Sequence, residues 1–165
     1  MARLVLLSGP SCVGKGPLAE ALRRHHPDLA APLVPLILHN SRAPRPGEVD
    51  GVDYHFRPRS DIERLADSDG FVVCDVRGDL QALELVSIDR ILESGGDPFF
   101  EGNPFVPPLL RQEGVLDRYP ALSVFLSPLT RDELLYLRDP ERRLDLDSFG
   151  TDVMRRKLLR STVRQ

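Results

Sequence analysis

The chain has little cysteine, no long apolar run and no surplus of positive charge, and each shortage removes a class of protein. Its two cysteines, Cys12 and Cys74, stand far apart. They form neither a disulfide framework nor a metal-ligand spacing, and they read as reduced thiols of a cytosolic protein. No stretch approaches the ~20 apolar residues of a membrane-spanning helix. The first apolar run, Leu4 to Leu7, is too short for a secretory signal. A net charge of −3 argues against a protein that coats nucleic acid. Internal repeats, low-complexity tracts and linkers are missing as well. These shortages predict one soluble, cytoplasmic domain over residues 1–165, with neither nucleic acid nor membrane as partner; the oligomeric state is not legible.

What is present is an ordinary globular composition. At 165 residues, 41% hydrophobic and 28% charged, the chain is long enough to bury roughly 70% of its extended surface. The most informative stretch comes first. Arg3 to Ser8 reads as a short, fully buried strand. It breaks into Gly9-Pro10-Ser11-Cys12-Val13-Gly14-Lys15-Gly16. Glycines let successive N–H groups turn inward around an anion, the following helix adds its positive dipole end, and Lys15 adds a mobile charge for the outer phosphates. The spacing Gly9-x4-Gly14-Lys15 meets the nucleotide-loop pattern up to the lysine, after which Gly16 stands where Ser or Thr would coordinate Mg²⁺. Pro17 suits the first helical turn. Leu18, Ala21 and Leu22 give the helix an apolar face until His25-His26-Pro27 ends it. The adjacent histidines point in different directions and read as a solvated helix end rather than a metal site.

Leu36-Ile37-Leu38 reads as a short strand leading into a polar, turn-rich segment from His39 to Phe56. There Arg42 and Arg45, three apart and held by Pro44 and Pro46, make a rigid cationic fork suited to bidentate contact with phosphate oxygens, and Tyr54 supplies a hydroxyl donor. Ser60-Asp61-Ile62-Glu63 has the form of a capping box opening a helix through Leu65. Phe71 to Val76 reads as a strand and Arg77-Gly78-Asp79 as its turn. Leu85, Ile88 and Leu92 fall at helical spacing, closed by Gly95-Gly96. Leu122 to Leu126 reads as a buried strand, and Thr130-Arg131-Asp132-Glu133 as a second capping box. Arg138, Arg142, Arg143 and then Arg155, Arg156 and Lys157 follow in charge-dense segments.

A nucleotide loop followed by Ser41-Arg42-x-Pro44-Arg45-Pro46-Gly47-Glu48-x-x-Gly51-x-x-Tyr54-x-Phe56 resembles guanylate kinase. The resemblance implies an α/β fold: a P-loop nucleotide-binding parallel sheet flanked by helices, with an inserted substrate lobe over about 36–82 and a lid over about 129–150. It implies that Gly9 to Gly16 bind ATP, that Arg42, Arg45 and Tyr54 hold the acceptor's monophosphate, and that Glu101 also belongs to the acceptor site. Lys15, Arg138 and Arg142 become the catalytic cations, and Arg156 or Lys157 matches a further phosphate-binding arginine. Mg²⁺ would arrive with ATP, bound through phosphates and water, with no dedicated set of protein ligands.

The chain departs from the family where the base is read. Val73 stands near a glutamate that reads guanine, Leu38 replaces a serine, and Leu80-Gln81 replace two tyrosines. Asp75 takes the carboxylate role only with a slipped register. Glu101 and Asn103 occupy the places of two acids beside the phosphates and the metal. The family continues beyond the point where this chain stops, at Gln165, with a strand and helix that contact the adenine, which predicts weaker ATP binding here. The expected function is ATP-dependent transfer of the γ-phosphoryl group to GMP or another phosphorylated small-molecule acceptor. The alternative is a guanylate-kinase-like binding module for nucleotide or phosphorylated peptide.

Overall fold

A computed structural model of the chain describes residues 2–11, 13–127, 129, 130 and 132. Its first strand, β1 (Leu4–Ser8), lies inside a four-stranded parallel sheet between β7 (Asp97–Gly102) and β8 (Ala121–Phe125), with β2 (Leu33–Pro35) outside β7. Uniform apolarity is what such a position requires, because both faces of β1 are covered. Leu4 and Leu6 point to one face, where they meet α4 (Leu85–Glu93), α5 (Val106–Gln112) and α6 (Val115–Arg118) through Ile88, Leu110 and Val115. Val5 and Leu7 point to the other, against Ala19 of α1 (Lys15–His25).

The second sheet holds the residues after β2. Its order is β4 (His55–Phe56), β3 (His39–Asn40), β6 (Asp79–Glu84), β5 (Phe71–Val76). The first pair is parallel and the other two antiparallel. One face of this sheet shares the main core, since Val72 and Leu83 pack in the same cluster as Leu4 and Phe100. The other face is closed by α3 (Arg59–Leu65), with Ile62 buried on Leu80 and Ala82. The shared core is what holds the two sheets side by side.

Several expectations change in detail. Leu36 to Leu38 is not a strand but the crossover between the sheets, flanked by β2 and β3. Leu36 N–H donates to the Phe99 carbonyl in one sheet (2.8 Å), and the Leu38 carbonyl accepts from His55 in the other (2.9 Å). Pro32 and Pro35 are tolerated because β2 is an outer strand. Pro98, although inside β7, sits one step before the β1 ladder opens at Val5 opposite Phe99, so its missing N–H breaks no rung. On α1 the buried residue is Ala19, while Leu18 and Ala21 are exposed. The loop fixes the start of the helix at Lys15, which puts Ala19 and Leu22 on the sheet side of the turn. The Ser60 capping box does not form: α3 starts two residues earlier, behind Pro58, and Glu63 instead accepts from Arg59 Nε at 2.8 Å.

β8 forms as expected but is exposed along its length, with Leu122, Val124 and Phe125 at 40%, 37% and 56%. It is the outer strand of the described sheet. The helix expected after Thr130, the lid, and Arg138, Arg142, Arg143, Arg155, Arg156 and Lys157 lie outside the described residues, as does Cys12. Among the described residues, no helix is long and apolar enough to cross a membrane, and no three His, Cys, Asp or Glu gather as a metal site.

Candidate functional site

The carboxyl ends of β1 and β7 and one end of the second sheet face each other across a cleft of about 340 Å³. Gly9, Ser11 and Lys15 line one side, Arg42, Arg45 and Tyr54 the other, and Glu101 and Asn103 lie along the wall. Two segments that are distant in sequence thus border a single space.

On the loop side the geometry is set by backbone. Gly9 has φ +155°, and a Cβ there would stand 2.5 Å from the Leu126 carbonyl oxygen. Any side chain would push the loop off β8, so glycine is required. Gly14 caps α1 in the left-handed region, with φ +100°. No side chain caps that helix and no acid sits in its first turn, which leaves its amides and positive dipole end suited to an anion. Lys15 Nζ folds back onto the Gly9 and Pro10 carbonyls, both at 2.9 Å, so the lysine stays within the loop.

On the opposite side the geometry is set by side chains. Pro46 and Gly47, with φ +88° at the glycine, form a turn closed by Glu48 N–H on the Arg45 carbonyl at 3.0 Å. The reversal returns the Glu48 carboxylate to Arg42, where two hydrogen bonds of 2.6 Å form a fork, and a third runs from Arg45 N–H at 2.7 Å. This guanidinium holds the Glu48 carboxyl at about 2, far below the usual carboxylate range, and Arg42 is shifted upward in return. The guanidinium also stacks 5.1 Å from the Tyr54 ring centre and 5.5 Å from that of Phe56. Arg42 is therefore fixed in position while Arg45 keeps its side chain for the cleft.

Glu101 approaches the start of α1. Its Oε1 would lie 3.6 Å from a Cβ placed on Gly16. Asn103 does something that the comparison with an acid did not suggest. Its Oδ1 accepts from Phe105 and Val106 N–H at 2.9 and 3.3 Å, and its Nδ2 donates to Gln81 Oε1 at 2.8 Å. It opens α5 and ties β7 to the second sheet. Both ends of the amide are occupied.

The base-reading comparisons also shift. Val73 packs with the cluster under α3 and does not line the cleft. Asp75 is exposed and accepts from Gly78 N–H at 2.7 Å within the β5–β6 turn. Leu38 is buried in the main core. Lining residues that were given no role from sequence include Asn40, Val76, Arg77, Asp79 and Gln81. The alternation of β6 places Gln81 and Asp79 on one face, a signal available in the sequence only once the strand's register is known. Glu48 was quoted within the motif without a role. A carboxylate set in a Pro-Gly turn beside two arginines was the available clue.

An uncapped helix behind a glycine loop on a parallel sheet, facing a fixed guanidinium, defines an α/β protein of the P-loop nucleotide-binding class. The guanylate kinase family model matches residues 1–140, and the chain belongs to that family. It is similar to the guanylate kinase of Rhodococcus jostii (strain RHA1), 32% identical over 98% of this chain and 73% of that protein. It is also similar to the guanylate kinase of Synechococcus sp. (strain JA-3-3Ab), 34% identical over 80% of this chain and 58% of that protein. The chain thus spans about three-fifths to three-quarters of the length of these two relatives. The crystal structure of guanylate kinase from Anaplasma phagocytophilum shares the fold, with a TM-score of 0.60 at 21% identity, over 92% of this chain and 71% of that one.

Proposed function

We propose that this chain is a single guanylate-kinase-like domain that transfers the γ-phosphoryl group of ATP to GMP or a similar phosphorylated small molecule. The observation that carries the reading is that the Gly9–Lys15 loop and the Arg42, Arg45 and Tyr54 group border one cleft. Two phosphorylated ligands held at those two ends would meet between them. Loop amides and Lys15 bind the outer phosphates of ATP. Arg42, Arg45 and Tyr54 bind the acceptor's monophosphate, oriented by Glu48. Arg138 and Arg142 bring positive charge to the group in transit, which is the main demand that phosphoryl transfer makes on a protein.

Mg²⁺ fits this site as a companion of ATP. Glu101 supplies one carboxylate near the loop, the amide of Asn103 is occupied elsewhere, and a Mg²⁺ ion held largely by phosphates and water needs no more. When bound, it would neutralise charge on the phosphate chain of ATP. No observation favours the binding-module alternative, and the relatives' shared name supports the transferase.

The test is ADP release from Mg·ATP with GMP, other nucleoside monophosphates and phosphorylated sugars. The expected result is turnover with at least one acceptor. Lack of turnover with every acceptor, together with lack of ATP binding by calorimetry, overturns the proposal.

A further inference from the structure

Across the second sheet, register places Phe56, Asn40, Gln81 and Cys74 in one row, each opposite the next on neighbouring strands. Asn40 and Gln81 both line the cleft and are 0% and 7% exposed. As a directly opposed pair, their Cβ atoms stand about 5 Å apart. Among the described residues each amide is partnered on its oxygen side alone.

Asn40 Oδ1 accepts from Arg42 N–H at 3.2 Å, whereas its Nδ2 has no partner among the described residues. Gln81 Oε1 accepts from Asn103 Nδ2 at 2.8 Å, and among the described residues its Nε2 has no partner. The orientations are forced. Backbone N–H groups donate to Asn103 Oδ1, so Asn103 turns its NH₂ to Gln81, which must answer with oxygen. A backbone N–H fixes Asn40 in the same way. Two NH₂ groups on one face of the sheet are thus left without partners among the described residues, in the row that begins at Phe56, on which the Arg42 guanidinium stacks. Of the two, Asn40 Nδ2 is buried, where an unpaired donor is unfavourable, and a ligand oxygen relieves it.

We propose that Asn40 and Gln81 are further ligands of the acceptor's phosphate, extending the Arg42–Arg45–Tyr54 group across the sheet toward the loop. The inference rests on the reading that the cleft takes a phosphorylated acceptor. The amides bind oxyanion without adding charge. They also tie recognition to the pose of the second sheet, because Gln81 is held by Asn103 at the end of β7.

The test is calorimetry on the full chain with GMP, ribose 5-phosphate and inorganic phosphate, with guanosine as the control lacking phosphate. Gln81→Glu keeps an oxygen for Asn103 but replaces the donor with a carboxylate. It should weaken each phosphorylated probe about tenfold or more and leave ATP and guanosine within about twofold. Asn40→Asp should act in the same direction. Thermal melting verifies folding, and if Gln81→Glu does not fold, Gln81→Met carries the test with an expected loss of several-fold. Phosphorylated probes within about twofold of wild type, equal weakening of guanosine, or a wild type that binds none of the phosphorylated probes overturns the inference. Phosphoryl transfer is followed on the same samples. A wild type that binds GMP, loses it on Gln81→Glu and transfers nothing leaves the amide pair standing and removes the transferase reading.

Discussion

The two ends of the cleft are built by opposite means. At the loop end the work is done by backbone: unusual φ at Gly9 and Gly14, an uncapped helix, and one lysine held against carbonyls five and six residues back. At the fork end it is done by side chains: Arg42 clamped by Glu48 and stacked on two rings, two residues after Asn40, which is paired with Gln81. A site made of backbone tolerates little change in shape, whereas one made of side chains tolerates little change in charge. Substitutions at each end can test that difference.

The largest effect is expected at Lys15, the single cation contributed by the loop. Lys15→Met should leave the fold intact by circular dichroism and lower kcat by about a hundredfold to a thousandfold, the range for losing one positioned electrostatic group. A kcat within about tenfold of wild type would remove Lys15 from the transfer step. Next is a matched pair of glycines. Gly9→Ala drives a Cβ to 2.5 Å from the Leu126 carbonyl, so the backbone must move; a cost of about 2–3 kcal/mol in denaturant melts is expected, with weakened ATP binding. Gly47→Ala also meets a positive φ, +88°, but nothing lies within 4 Å, so only about 1 kcal/mol is expected, from the left-handed conformation. Equal costs at the two positions would break the contrast between the ends.

The same contrast explains what could be read from the sequence. The loop was legible because its parts are contiguous: a glycine, a lysine and the apolar strand before them. Arg42, Arg45 and Tyr54 were legible because they lie in one short segment rich in proline and glycine. The amide pair was not, since Asn40 and Gln81 meet only through the register of β3 on β6, which no local pattern fixes. The bonds of Asn103 were hidden for the same reason. Its residue type suggested a neutralised acid, and its position just ahead of α5 also lets its oxygen accept from the Phe105 and Val106 N–H groups. The apolar sequence of β8 correctly predicted a strand. Burial depends on neighbours, and β8 has a paired strand on one side alone among the described residues.

Within the fork, Glu48→Gln keeps the shape and removes the charge that orients Arg42. The expected result is a rise of about tenfold in acceptor KM with ATP KM within about twofold, as for losing a charge-assisted bidentate contact. Equal changes in both would show Glu48 acting on the whole fold. The pair also has a pH signature. Glu48 titrates at about 2 in the folded chain against an ordinary 4.5, so the folded state favours its ionised form. The stability this confers is present above pH 4.5 and is lost as pH falls toward 2. The melting temperature of wild type should therefore exceed that of Glu48→Gln at neutral pH and converge on it in acid. His39, shifted downward by burial and then by His55, also becomes charged in acid, but it does so in both proteins and cancels in the difference.

The smallest effect is expected from an ion pair of the same chemistry in a wetter place. Arg57 Nη1 lies 3.3 Å from Asp50, with side chains 41% and 55% exposed, whereas the Arg42–Glu48 pair lies at 2.6 Å with 16% and 18%. Water and salt screen the first pair, and Asp50 is held more firmly by Phe56 N–H at 2.7 Å than by the arginine. Arg57→Ala should leave acceptor KM within about twofold. The remaining shift in melting temperature should shrink in 0.5 M salt, an order-of-magnitude choice that brings the screening length to about 4 Å. If Arg57→Ala instead weakens the acceptor as much as Glu48→Gln does, proximity to the cleft rather than burial and geometry determines which arginine pair matters.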